Sequence, residues 1–272
     1  MSKYYRVLDH GFVGYIDHLG SDELIEQFAR VSYQKGTRQK NDITGLINYL
    51  MKNKHTSPFE CCEVIFHLAL PKTTAIQLIR HRTASLNEFS QRYSEVPDVW
   101  YVPSYERYVA QSKTNKQASG EEPIFTQEEY ADYVEKQNQA NRVQFNLYQD
   151  LLAKGCARET ARNHLPLSCY TTMFWKMDLH NLFHFLNLRA DSHAQWEIRQ
   201  YAYVIGSIVK DLFPISFNAW YKYVYTSENF THEEIESLTS IDESANYKVL
   251  EPKLNKKYYD FPDLLDEVDP IE

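Results

Sequence analysis

Fourteen consecutive positions, Arg80 to Tyr93, hold three arginines, a histidine, two serines, an asparagine, a glutamate and a tyrosine. Only Ala84, Leu86 and Phe89 look like packing residues, so the run offers little to a core. A solvated charged face would favour Lys and Glu and has no need of this mixture of hydroxyls, amide and guanidinium. Guanidinium groups are rigid planar forks that match phosphate and carboxylate oxygens two at a time. A segment so dense in donors reads as the lining of a site for a phosphorylated ligand.

The rest of the chain must supply the scaffold. With 272 residues, 43% of them hydrophobic, it is long enough for one large domain or two small ones. No stretch approaches the ~20 apolar residues of a membrane helix. The first residues, MSKYYRVLDHGF, lack the apolar centre of a signal peptide. No membrane partner and a cytoplasmic location are expected. Cys61, Cys62, Cys156 and Cys169 form no CxxC pair and no metal-ligand spacing, which suits reduced, mostly buried thiols. Cys61 and Cys62 would point to opposite faces if they lay on a strand.

The net charge of −8 is unevenly placed. Residues 228–272 hold 13 acidic and 4 basic residues, a balance of −9, so the remainder carries +1. A nearly neutral body argues against a nucleic acid polymer as partner, which wants a broad basic face. A local arginine cluster suits a small anion better.

Apolar spacing and caps outline the elements. Residues 4–18 read as a short strand or turn. Ser21 caps a helix over 22–33 with Leu24, Ile25, Phe28 and Val31 on one face, and a second helix runs over 42–54. Ser57 to Glu60 fits a capping box with Pro58 at the first helical position, opening a single turn. Residues 62–70 alternate as a strand, and Pro71 starts a helix that delivers the arginine-rich run. Residues 110–125 read as a surface loop. Thr126 with Glu129 makes a capping box for a long helix that Gly155 closes. A strand over 168–177 is followed by helices over 178–188 and 194–212, and a short one over 215–226. The expected fold is α+β: one domain over 1–226 with a central, mostly antiparallel sheet flanked by helices. Residues 227–272 form an acidic extension whose Tyr247, Val249, Leu250, Tyr258, Tyr259 and Phe261 can dock on the body.

Three segments share unusual chemistry: His55-Thr56-Ser57-Pro58-Phe59-Glu60, the run from Arg80, and Asn187 through Arg199 (NLRADSHAQWEIR). Arg158 to Leu167, with Arg162 and His164, is a weaker fourth. Together they resemble the flavin-dependent thymidylate synthases. That family's signature is RHR, seven residues, then Ser, and it stands here as Arg80-His81-Arg82, TASLNEF, Ser90. The resemblance covers about residues 1–225 in the right order.

The resemblance implies a reaction and a set of roles. Methylenetetrahydrofolate supplies a one-carbon unit to C5 of dUMP, FAD mediates the reduction, and NADPH reduces the flavin. No enzymatic cysteine attacks the uracil. Gln77, Arg80, Glu88, Phe89, Ser90, Gln91, Arg92, Arg162 and Arg189 match dUMP-binding positions. Arg189 matches the arginine at the uracil edge, where a guanidinium stabilises the N3-deprotonated pyrimidine and makes C5 more nucleophilic. It and His55, a contributor to the flavin and folate pocket, are the catalytic candidates. Ser57, Arg80, His81, Arg82, Thr83 and Glu88 match FAD contacts, and Asp178, His180 and His184 match three more, where some relatives carry Asn or Arg. His81 meets either the isoalloxazine or the phosphates. The family's flavin sits between subunits, which implies a homotetramer with sites at the subunit interfaces.

Blander readings compete at several positions. Arg189 could pair with Asp191 or Glu197 on the surface, and Arg162 with Glu159. His180 and His184, at i and i+4, could hold a metal, but no third ligand is evident and no metal site is expected. A non-catalytic nucleotide- or RNA-binding module would also use arginines and tyrosines. The near-neutral body disfavours it.

Overall fold

Strand alternation is strongest in residues 63–71, where Val64, Phe66, Leu68 and Leu70 are buried and the residues between them are less so. This strand is the centre of the sheet in the computed structural model, which describes residues 3–31, 42–113, 119–239, and Tyr258, Asp260, Phe261 and Val268. Strands β1 (Lys3–Val7), β2 (Gly11–Leu19), β3 (Glu63–Pro71), β4 (Ser85–Glu88) and β7 (Tyr170–Asp178) form one sheet in the order β1-β2-β3-β7-β4, with every pairing antiparallel. Residues 4–18, expected as a short strand or turn, are thus a full hairpin. Its turn places Leu8 at φ 60.

One face of the sheet is covered by helices. Met173, Trp175 and Met177 of β7 pack with Phe66 and Leu68 against α6 (Leu179–Arg189) and α7 (Trp196–Leu212). Trp175 meets Phe185 of α6 at 5.1 Å between ring centroids. The buried Tyr201 hydroxyl of α7 donates to the Ala69 carbonyl at 2.7 Å. Gly11 is required here, because a Cβ would stand 2.1 Å from that hydroxyl.

Helices α1 (Asp22–Arg30), α2 (Ile43–Lys52) and α8 (Pro214–Trp220) close one end. Ser21 caps α1 as expected, and the buried Asp22 reaches across to α8. Its carboxylate accepts from the Ser216 hydroxyl at 2.6 Å and from the Ile215 and Ser216 amides. Phe28 and Val31, expected on the buried face of α1, are exposed. The helix is held at its first turns by Asp22 and Ile25, and the later part of its apolar stripe lies uncovered. The expected end of that helix at Tyr33 lies outside the described residues.

The Ser57–Glu60 capping box does not form. Pro58 is the N-cap of a 3-10 turn, Phe59–Cys61, with no side-chain cap, and Glu60 instead accepts from the Thr56 hydroxyl. Because this turn holds Cys61, the two neighbouring thiols do not point apart as they would on a strand; their sulfurs are 3.7 Å apart. The segment expected as a loop pairs in part as a hairpin, β5 (Val109–Gln111) with β6 (Ser119–Pro123). The Thr126–Glu129 capping box is present and opens α4 (Gln127–Ala153), while Gly155, at φ 81, follows its end.

A second, smaller core lies under α4. Phe145 and Tyr148 pack with Val96, Trp100, Ala161 and Cys169, and Phe89 and Leu165 lean on this cluster. Helix α3 (Lys72–Leu78) adds Ala75 and Leu78 to the main core, and α5 (Arg158–Ala161) adds Ala161 to the smaller one. After α8 a π-helical turn, Tyr221–Tyr225, follows, and then α9 (His232–Thr239). Of the residues expected to dock from the acidic extension, Tyr247, Val249, Leu250 and Tyr259 lie outside the described residues. Tyr258 bonds Glu228, and Phe261 is buried against Phe217, Trp220 and Tyr225. Phe261 fills the space beside Gly206, where a Cβ would meet its ring at 2.1 Å.

Candidate active site

Helix α3 ends in a tight turn, with the Arg80 amide donating to the Gln77 carbonyl and the His81 amide to that of Leu78. The turn folds His81 inward while leaving Arg80, Arg82 and Thr83 exposed. His81 is buried edge-on against Phe185 at 5.0 Å, with His184 at 6.4 Å. Arg189, the last residue of α6, donates from Nε to His81 Nε2 at 3.0 Å. His81 therefore carries its ring proton on Nδ1. Burial above all, and then Arg189 and His184, push its pKa down to about 4. Burial also lowers the pKa of Arg189, and a guanidinium keeps its charge in proteins. A neutral imidazole thus holds a charged guanidinium by one nitrogen and leaves the two terminal nitrogens for a ligand.

Two clefts meet at His184. One, of about 360 Å³, is lined by Arg80, His81, Arg82, Thr83, Asn181, His184, Leu188 and Arg189. The other, of about 230 Å³, has aromatic walls from Phe59, Phe183 and Trp220, with His55, Thr56, His180 and Asn187 on its rim. The Trp220 indole N–H is buried and has no partner among the described residues. This cleft can take a planar, largely apolar ring system, and the cationic one can take phosphates. Together they fit a flavin dinucleotide.

Not every expected cofactor residue reaches these clefts. The Asp178 carboxylate caps α6, accepting from the Asn181 amide at 2.9 Å and from its side chain at 2.7 Å. Asn181, one turn further on, lines the cationic cleft instead. Ser57 is exposed beside the 3-10 turn, and Thr56 takes the rim position. Asn181 and Trp220 were not singled out in the sequence, and Asn187 stood there only as the first residue of the segment that carries Arg189; spacing from His180 and His184 along α6 is the signal that could have pointed to the two asparagines.

Strand β4 separates a second group from the first. At its far end the Glu88 carboxylate accepts from Lys72 at 2.5 Å and from the Thr171 hydroxyl at 2.7 Å. The Phe89 amide bonds the Thr172 carbonyl, and its ring leans on the smaller core. The Ser90 hydroxyl accepts from the Arg92 amide at 3.3 Å. Arg92 pairs with Glu159 at 3.1 Å, both more than half exposed. Gln91 and Arg162 are half-buried nearby in the chain, in a turn after Ser90 and in the 3-10 turn Arg162–His164. Glu159 thus pairs with Arg92 rather than with Arg162, and Glu197 pairs with Arg107 rather than with Arg189. Four residues of strand span roughly 10 Å. β4 is an edge strand whose Ser85, Leu86 and Asn87 are exposed.

Three of the cysteines are not set up as nucleophiles. Burial raises the thiol of Cys61, pushes that of Cys62 up to about 12, and pushes that of Cys169 up to about 11. No helix among the described residues is long and apolar enough to cross a membrane.

Known proteins resemble this chain in sequence and fold. Residues 15–215 match the family model described as "Thymidylate synthase complementing protein". A flavin-dependent thymidylate synthase of Wolbachia pipientis wMel is 43% identical over 253 residues, covering 93% of this chain and 88% of its own length. One from Treponema denticola is 45% identical over 243 residues, covering 89% of this chain and 90% of its own length. Among solved structures, a UMP/dUMP methylase, PolB, from Streptomyces cacaoi bound with 5-Br UMP superposes with a TM-score of 0.71. It is 33% identical and covers 80% of this chain and 97% of that one. The family model spans well over half of the chain, and the chain belongs to the flavin-dependent thymidylate synthases.

Proposed function

We propose that this protein converts dUMP to dTMP, taking the one-carbon unit from methylenetetrahydrofolate and using NADPH as reductant through bound FAD. The observation that carries the reading is the Arg189–His81 pair, which stands where a cationic cleft opens beside an aromatic one. The flavin supplies the electron pair that turns the transferred carbon into a methyl group. The protein's own residues bind, orient and polarise.

Arg189 is the principal catalytic side chain. Its guanidinium faces the uracil edge, stabilises the N3-deprotonated ring and makes C5 more nucleophilic. Because His81 accepts the Nε–H, the terminal nitrogens keep a fixed direction. Because His81 is neutral, it adds no competing positive charge. Its Nδ1–H remains a donor toward the cofactor. His55 is the second catalytic candidate, at the rim of the aromatic cleft where folate and flavin would meet.

Gln77, Arg80, Glu88, Phe89, Ser90, Gln91, Arg92 and Arg162 bind dUMP, with the arginines neutralising its phosphate. Phe89 acts by packing and by its backbone. Arg80, His81, Arg82, Thr83, His180 and His184 hold FAD, and Asp178 acts through Asn181; Ser57 and Glu88, expected as FAD contacts, line neither cleft of this chain and are not counted among them. The exposed β4 edge between the two groups suits a homotetramer in which neighbouring subunits complete each site. Residues 1–226 form the catalytic unit and 227–272 an acidic extension anchored by Phe261. The four free cysteines suit the reducing cytoplasm.

The test is direct. The purified protein is expected to be yellow, or to become so with FAD, and to form dTMP from dUMP, methylenetetrahydrofolate and NADPH, followed by chromatography. FAD-loaded protein that forms no dTMP under these conditions overturns the reading. A non-catalytic nucleotide-binding module would bind dUMP and stay colourless.

A further inference from the structure

Gln195 is the N-cap of α7, yet its side chain makes no capping hydrogen bond. N-caps favour Ser, Thr, Asp or Asn, whose short side chains reach the amides of the first turn. A glutamine there forgoes that contribution. Its amide instead bridges two elements. Gln195 Nε2 donates to Glu197 Oε2 at 2.7 Å, and its Oε1 accepts from Gln77 Nε2 on α3. Glu197 is buried, and its other oxygen accepts from Arg107 Nε at 3.0 Å and from the Tyr101 hydroxyl at 3.2 Å. Arg107 in turn lies over the Trp196 ring, 5.0 Å from its centroid.

This chain of bonds has a direction. Burial alone would raise the Glu197 pKa, but the Gln195 hydrogen bond and the Arg107 guanidinium outweigh it and hold the carboxyl below its usual range. An ionised carboxylate only accepts. Gln195 must therefore turn its NH2 toward Glu197 and its carbonyl toward Gln77. Gln77 must in turn present its NH2 to Gln195, which leaves its own carbonyl as an acceptor. Without Glu197, both amides fit equally well after a half-turn, and Gln77 would present a donor as readily as an acceptor.

We propose that Glu197, acting through Gln195, holds the Gln77 amide so that its carbonyl accepts a hydrogen bond from a hydroxyl or N–H donor of the nucleotide. This rests on the reading that Gln77 binds dUMP. Gln195 and Glu197 are positioning residues and touch no reacting atom. The locked amide gives selectivity, because a ligand that offers an acceptor at that place meets another acceptor.

Gln195→Ser tests the relay in the FAD-loaded enzyme. Serine is a better N-cap than glutamine, but the variant also removes a hydrogen bond from the buried Glu197 carboxylate, so the melting temperature should fall on either account and the relay is read from ligand binding. Titration of dUMP, read by flavin absorbance, should show a Kd raised about five- to tenfold, the worth of one hydrogen bond. The KM for dUMP should rise in proportion while kcat stays within about twofold. Gln77→Ala should weaken dUMP at least as much, and the double variant should bind no more weakly than Gln77→Ala alone. An unchanged Kd in Gln195→Ser, or effects that multiply in the double variant, overturns the relay and leaves Gln77 a ligand. Unchanged dUMP affinity in Gln77→Ala overturns both the relay and the placing of Gln77 against the nucleotide.

Discussion

The two ends of β4 hold arginines in opposite circumstances. At one end Arg189 is half-buried and hydrogen-bonded to a neutral, buried imidazole. At the other, Arg92 is more than half exposed and paired with an equally exposed Glu159. The first arrangement is rigid, and its charge acts through little water. The second is a surface ion pair worth roughly 0–1 kcal/mol, easily exchanged for another anion. On the proposed function, the contrast suits them to different work. A side chain that must stabilise charge developing on a ring needs a fixed direction, whereas one that neutralises a phosphate needs only to be near it.

The sharpest way to break this comparison is Arg189→Ala. We expect dTMP formation to fall by about 10²–10³-fold, the scale of losing one oriented charge-stabilising donor. Flavin content, read by absorbance, should remain. Turnover near that of the native enzyme would leave the rigid end without its role.

Lys72→Met comes next, because it leaves the partly buried Glu88 without its cation. Chemical denaturation should show a loss of about 1–3 kcal/mol, the cost of an uncompensated polar group. A loss below about 0.5 kcal/mol would mean that the Thr171 hydroxyl suffices.

The pH dependence of stability sharpens the buried end. His81 is held near pKa 4, below the usual 6.5 for a histidine. Between these values the unfolded chain binds a proton that the folded chain refuses, so stability falls as pH drops from about 6.5 to 4. Below about 4 this contribution levels off. Melting curves of His81→Gln should show a shallower slope across that window than the native protein. Parallel slopes would mean that the imidazole is not held neutral.

The smallest effect belongs to Glu159→Gln. Stability should change by less than about 1 kcal/mol, and dUMP affinity should hold or improve slightly as Arg92 is released. A large loss of affinity would show that Glu159 orients Arg92 rather than merely screening it.

Much of the scaffold could be read along the chain, because its signals are local. The alternation Val64, Phe66, Leu68, Leu70 marks a strand with one covered face, and that strand proves central. Thr126 with Glu129 marks the start of a 27-residue helix, and Asp178 the start of α6. The failures were also local in origin. Ser57-Pro58-Phe59-Glu60 has the spacing of a capping box, but Glu60 bonds Thr56 and the turn tightens to 3-10. The apolar stripe of α1 shows which side chains could be buried but not how far the cover extends, and Phe28 and Val31 lie beyond it.

The site divides in the same way. Arg80-His81-Arg82 and Ser90 identify a family and an anionic ligand, because their residue types and spacing are legible without a fold. The sequence alone thus determined most of the helices, the central strand, the family resemblance and the chemistry of the arginine-rich run. Tertiary structure alone decided that Arg189, outside the run, is held by His81 within it. Arg189 and His81 are 108 positions apart, as Gln77 and Gln195 are 118 apart, and no local pattern encodes such a meeting. Packing then did the rest: burial made the His81 imidazole neutral, Gln195 and Arg107 kept the Glu197 carboxylate an ionised acceptor in spite of its burial, and the bond to His81 gave the Arg189 guanidinium its direction.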